Sequence, residues 1–88
     1  MNKIVFGSIA MDLKRVAMGY YRGSNKTAER FLQEALSRRS DVERDKLTPY
    51  LKKLLVKIEA LSDENDGQKK AEDALMYSTL FQNAALSL

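Results

Sequence analysis

Apolar residues recur at steps of three and four along almost the whole chain, and this spacing constrains the fold more than any other feature. In the first segment, Phe6, Ile9, Leu13 and Val16 follow it. Residues so spaced lie along one face of an α-helix, which is buried against neighbouring helices. With 88 residues the chain has the size of one domain. The spacing predicts a single all-α domain over residues 1–88, a compact antiparallel bundle of four helices at about 3–21, 26–39, 49–62 and 68–85.

The predicted helices are separated by recognisable start and stop signals. Gly23 suits the left-handed position that ends many helices, and Thr48 followed by Pro49 is typical of a helix start. Residues 40–48 form a polar connection with room for a helical turn. The acidic run at 63–67 is expected to cap the last helix and not to bind calcium, because Gly67 falls one position early for a calcium loop and Ala74 replaces its glutamate.

Two other interpretations of the N-terminal segment are disfavoured. Residues 3–11 resemble the charged and apolar parts of a secretory signal, but Asp12 ends the apolar run early and the helical spacing continues to Tyr21. Residues 3–7 also fit a short strand before a phosphate-binding turn. Gly7 stands alone there, however, and no later segment supplies the further strands of such a sheet.

The composition excludes several kinds of chemistry. The chain has no His, Cys or Trp, which removes imidazole acid–base catalysis, thiol nucleophiles and the common zinc sites. We expect no catalytic residues, no metal and no cofactor, and we expect Asp12, Ser8 and Arg15 to form an outer polar stripe of the first helix. No apolar run approaches the roughly 20 residues that span a bilayer. The expectation is a cytoplasmic protein without membrane contact.

Gly7 and Gly19 both interrupt the first predicted helix. Each glycine inside a helix costs about 1 kcal/mol relative to alanine. Close approach of a neighbouring helix would explain the two glycines, and so would simple tolerance of the cost. The sequence alone leaves both explanations open.

The last predicted helix becomes apolar nearly all round, which a four-helix chain of this size covers with difficulty. This favours a homodimer, with Met11 and Met18 of the first helix as further contributors. The alternative is a central helix in a monomeric bundle. The candidate dimer interface consists of Tyr21, Met76, Tyr77, Leu80, Phe81 and Ala84.

Positive charge is concentrated in the first half of the chain. Residues 1–40 carry eight basic and three acidic side chains, whereas residues 41–88 carry seven basic and nine acidic ones. Arginine binds phosphates and carboxylates through a planar fork, so an anionic partner is conceivable. Ordinary surface pairs, such as Asp12 with Arg15 and Glu34 with Arg38, are the simpler explanation. The candidate anion or partner surface consists of Arg15, Arg22, Lys26, Arg30, Arg38 and Arg39.

These patterns predict a small, non-catalytic, self-associating module for protein–protein interaction. The alternative is a basic adaptor that binds nucleic acid or another polyanion through the arginine and lysine residues of the first two helices. The salt dependence of binding distinguishes the two hypotheses. Affinity for phosphates falls steeply as the salt concentration rises, whereas the affinity of an apolar interface changes little.

Overall fold

The computed structural model describes all residues from Met1 to Leu88 and contains helices and no strands. Two turns of 3-10 helix, Arg38–Asp41 and Arg44–Lys46, occupy the connection before the third helix. The all-α prediction is confirmed. The helices are α1 (Asn2–Tyr21), α2 (Asn25–Ser37), α3 (Pro49–Lys57), α4 (Glu59–Asp63) and α5 (Gly67–Ser87).

The two longest helices, α1 and α5, run antiparallel in close contact. The rings of Phe6 and Phe81 are 5.2 Å apart at one end, and the Ser78 hydroxyl donates a 2.8 Å hydrogen bond to the Ala10 carbonyl farther along. Small side chains on the facing sides let the two backbones approach each other. These small buried residues are Ala10 and Ala17 on α1 and Ala71, Ala74 and Ser78 on α5.

Helix α2 returns antiparallel along another side of α1. A Cβ atom added to Gly19 would lie 2.9 Å from the Ala28 Cβ and 3.0 Å from the Ala28 backbone, so this contact requires glycine. At the other end, Asn2 exchanges two hydrogen bonds with the Glu43 backbone, with lengths of 3.1 and 2.8 Å. For Gly19, close approach of a helix is therefore the correct explanation.

The helix ends follow the signals in the sequence. Gly23 has a φ of 76° after α1, and the Thr48 hydroxyl accepts a 3.3 Å hydrogen bond from the Leu51 amide at the start of α3. The Asp66 carboxylate caps α5 by accepting from the amides of Gln68 and Lys69. The predicted boundaries differ by a few residues because α2 gives way to a 3-10 turn after Ser37.

Helices α3 and α4 together form the third helix of the bundle. They are separated at Ile58 by a tightened turn in which the Leu61 amide donates to the Ile58 carbonyl at 3.2 Å. Ile58 itself keeps helical backbone angles and is fully buried. The bundle thus has four helical rods, and its core holds the large side chains Phe6, Ile9, Leu13, Leu32, Leu54, Leu55 and Phe81.

Candidate interaction surface

The side of α1 that faces away from the bundle carries large apolar side chains. Ile4, Met11 and Met18 are 67%, 51% and 38% exposed. They are seven residues apart, which places them in one row along the helix. A second row with the same spacing, beginning three residues later, runs beside it. We call the two rows together the outer seam, which consists of Ile4, Gly7, Met11, Lys14, Met18 and Tyr21.

A shallow groove between α1 and α5 borders the outer seam. It has a volume of about 300 Å³, and Met11 and Lys14 of the seam form part of its wall. Leu75 of α5 is also exposed and lines the same groove, together with the polar side chains of Thr79 and Gln82. The apolar surface of the seam therefore continues onto α5.

On the opposite flank of α1, Asp12 is buried, and the prediction that it belongs to an outer polar stripe is wrong. Asp12 is 2% exposed because α2 covers this flank. Arg38 Nε donates a 2.7 Å hydrogen bond to Asp12 Oδ2, and an Arg15 guanidinium nitrogen lies 3.8 Å from Asp12 Oδ1. The hydrogen bond to this carboxylate raises the pKa of Arg38 above its ordinary value. The only acidic side chain of α1 is thus withdrawn from the surface.

The six basic residues of the candidate anion surface have different surroundings. Arg38 also lies 3.8 Å from Glu34, and Arg39 contacts Glu59. The guanidinium carbons of Arg15 and Arg30 lie 5.3 and 5.0 Å from the centre of the Phe31 ring. Arg22 and Lys26 are exposed and form no salt bridge. The expected pairs Asp12–Arg15 and Glu34–Arg38 are both present.

The six residues of the candidate dimer interface do not share one exposed patch. Phe81 and Ala84 are buried in the core of the single chain, so they are core residues and not surface residues. Tyr77 and Leu80 are half-buried against the same core. Met76 and Tyr21 are exposed. The apolar end of α5 is thus explained in part within one chain, and self-association stays a prediction.

A polar cluster lies where α1, α2 and α5 meet, and no pattern in the sequence indicated it. Lys70 is buried, and its Nζ donates a 2.8 Å hydrogen bond to Glu29 Oε1, which also accepts from the Tyr20 hydroxyl. Hydrogen bonds from Lys70 and Tyr20 lower the pKa of Glu29. Burial alone would lower the pKa of Lys70, but its hydrogen bonds to Glu29 and Tyr20 outweigh burial and raise it. The acid and the base neutralise each other in this cluster.

A second apolar pocket, of about 400 Å³, lies at the end of the bundle where α3 begins and α5 ends. Tyr50, Leu51, Leu80 and Leu88 supply most of its apolar wall. Lys46, the only charged side chain at its rim, is 3.0 Å from Glu43. This pocket includes no residue of α1, although Asn83 of α5 lines both it and the groove beside the outer seam.

No helix combines the length and the apolar character needed to cross a bilayer, and no three acidic side chains come together in a way that could hold a metal ion. No family model, curated protein or solved structure matches this chain. A function for the outer seam must therefore be argued from its own residues.

Proposed function

We propose that the chain is a small, non-catalytic module for protein–protein interaction and that the outer seam is its docking face. The observation that carries the proposal is the exposed row of Ile4, Met11 and Met18 at seven-residue spacing. An apolar row with this spacing is the geometry through which one helix pairs with another along its length. A partner helix laid along α1 would cover all three side chains at once.

The exposed apolar side chains of α1 contribute little to the fold. The core is filled by residues on the inner face of α1, such as Phe6, Leu13 and Val16, all of which are fully buried. Single exposed apolar residues are common on protein surfaces, but contiguous ones mark interaction sites. Methionine is also well suited to docking, because its flexible thioether adapts to differently shaped partners.

A basic adaptor for polyanions is the second candidate, and one observation favours it. Arg15 and Arg30 both lie over Phe31, which brings two cations and an aromatic ring together on the surface. Against it, Arg38 and Arg39 contact carboxylates of the chain itself, which lowers the positive charge left for phosphates. Fluorescence anisotropy with a labelled single-stranded oligonucleotide tests this candidate. Binding that weakens steeply with salt would support it over the docking module.

Site-specific photo-crosslinking in the native cell tests the docking proposal. Benzoylphenylalanine is placed at Met11, at Met18 and, as a control, at Val56, which is 57% exposed on α3. We expect Met11 and Met18 to yield adducts with the same protein, identified by mass spectrometry, and we expect Val56 to yield none. A further Met18→Asp change should remove the adduct formed from Met11.

The alternative outcomes separate the remaining candidates. An adduct with twice the 10.0 kDa mass of the chain, composed of two copies, would make the seam a homodimer interface. Absence of adducts, or equal adducts from all three positions, would contradict a docking role for the seam. Adducts with nucleic acid would support the basic adaptor for polyanions and contradict the protein-docking proposal.

A further inference from the structure

The exposed charges of α1 itself are all positive. The exposed charged side chains of α1 are Lys3, Lys14 and Arg15, and Arg22 follows directly after the helix. The only acid of α1, Asp12, is buried against α2 and bonded to Arg38. A partner helix lying on the seam would therefore meet cations along the length of α1.

Lys14 occupies the middle of the seam. It stands seven residues from both Gly7 and Tyr21, and it lines the groove beside Met11. Neither Lys14 nor Lys3 takes part in any salt bridge of the chain. Two cations next to an apolar row are thus left without an internal counter-charge. Electrostatic complementarity between surfaces selects partners and speeds their association.

Gly7 supplies an independent observation. A Cβ atom added at Gly7 would have no neighbour within 4 Å, so nothing inside the chain requires a glycine there. Gly7 nevertheless lies within α1, between Ile4 and Met11 on the seam. Helices that pair along such a row insert each side chain of one helix between four residues of the other. A glycine in that set of four leaves room for a large side chain of the partner.

We infer that the partner of the outer seam is an acidic amphipathic helix of another protein. Its apolar row would contact Ile4, Met11 and Met18, one large apolar side chain would lie over Gly7, and its carboxylates would face the cations of α1. A second copy fits less well, because two α1 helices packed together would bring like charges into contact. This inference rests on the docking role proposed above.

Three labelled helical peptides with the same leucine row and with glutamate, lysine or glutamine flanks test the inference by fluorescence anisotropy. Because the glutamate peptide can form a few exposed ion pairs with the cations of α1, it should bind about tenfold more tightly than the glutamine peptide at low salt. The lysine peptide should bind most weakly. The Lys14→Glu variant should narrow the difference in affinity between the glutamate and lysine peptides, whereas the control Lys52→Glu on α3 should leave that difference unchanged.

Changes at Gly7 test the fit of the partner. We expect Gly7→Leu to weaken binding of the glutamate peptide by about tenfold or more, because the added side chain occupies the space of a partner residue. The control change Ala60→Leu adds a leucine side chain at an exposed position of α4, outside the seam, and should leave the affinity unaltered. Circular dichroism of both variants confirms that they fold.

The outcomes distinguish this inference from the docking proposal. Equal binding of the three peptides, or binding of none, would overturn an acidic helix as the partner, while the crosslinks from Met11 and Met18 decide the docking role separately. Binding to vesicles of phosphatidylcholine with phosphatidylglycerol in preference to the glutamate peptide would also overturn it. Such binding would make an anionic membrane surface the partner.

Discussion

Gly7 and Gly19 lie in the same helix and carry the same intrinsic cost, but their surroundings differ completely. Gly19 touches Ala28 so closely that a Cβ atom has no space, whereas Gly7 has open space around it. The fold explains why residue 19 is a glycine, but it does not explain why residue 7 is one. Gly7 lies on the outer seam beside the exposed side chains of Ile4 and Met11, so the features that the fold of one chain does not explain lie together on one side of α1.

The largest effect on stability is expected for Phe81. Phe81→Ala empties a fully buried site beside Phe6 and should lower the free energy of unfolding by about 3–5 kcal/mol. Met11→Ala, on the outer seam, should change it by less than about 0.5 kcal/mol. Urea denaturation at two protein concentrations checks both values. If the decrease in the free energy of unfolding caused by Phe81→Ala depends on protein concentration, Phe81 lies at a subunit interface. That result would contradict its role in the core of one chain.

Removal of the Arg38 side chain should have the next largest effect. Arg38→Met leaves the buried Asp12 carboxylate without its 2.7 Å hydrogen bond, which should cost about 1–3 kcal/mol. Arg30→Met is the matched control, since Arg30 lies on the surface over Phe31 and forms no salt bridge. Equal stability of the two variants in urea denaturation would show that the Asp12–Arg38 pair does not hold α1 to α2.

Alanine at the two glycines should change stability in opposite directions. Gly19→Ala should destabilise the chain by about 1–2 kcal/mol, because overpacking against the Ala28 backbone exceeds the gain in helix propensity. Gly7→Ala should stabilise it by up to about 1 kcal/mol, because the added methyl group meets nothing. Thermal unfolding followed by circular dichroism measures both. A loss of stability in Gly7→Ala would mean that Gly7 already has a role within the fold.

The smallest effect is expected from the pH dependence of the Tyr20–Glu29–Lys70 cluster. The pKa of Glu29 is lowered from 4.5, so its contribution is complete above that pH and is lost as the pH falls through the lowered value. The pKa of Lys70 is raised from 10.5, so its contribution is complete below that pH and is lost as the pH rises through the raised value. Glu29→Gln should flatten the acid limb of the Tm profile, and an unchanged limb would contradict this contribution.

Much of the fold could be predicted from local signals in the sequence. The helical spacing of the apolar residues predicts the four helices of the bundle. Gly23 ends a helix, and Thr48 and Asp66 start helices by accepting hydrogen bonds from amides two or three residues later. Such signals can be recognised because the partners are close in sequence. The tightened turn at Ile58 had no such signal, since neither glycine nor proline stands there.

Contacts between distant residues could not be predicted. Spacing alone predicts an outer stripe for Asp12, because it does not show how many helices surround α1. The partner of Asp12, Arg38, is 26 residues away. The apolar pattern of the last helix predicts a dimer interface at Phe81, because burial within one chain and burial between two chains produce the same pattern. The seven-residue spacing of Ile4, Met11 and Met18 was a usable signal for the outer seam.

The most direct test of the central claim is the set of amide chemical shift changes when the glutamate-flanked peptide is added to the ¹⁵N-labelled protein. We predict the largest changes along α1 at Ile4, Gly7, Met11 and Met18, with smaller ones at Leu75 across the groove. Changes concentrated at Lys26 and Arg30, or around Tyr50 at the other pocket, with the seam unaffected, would contradict the account.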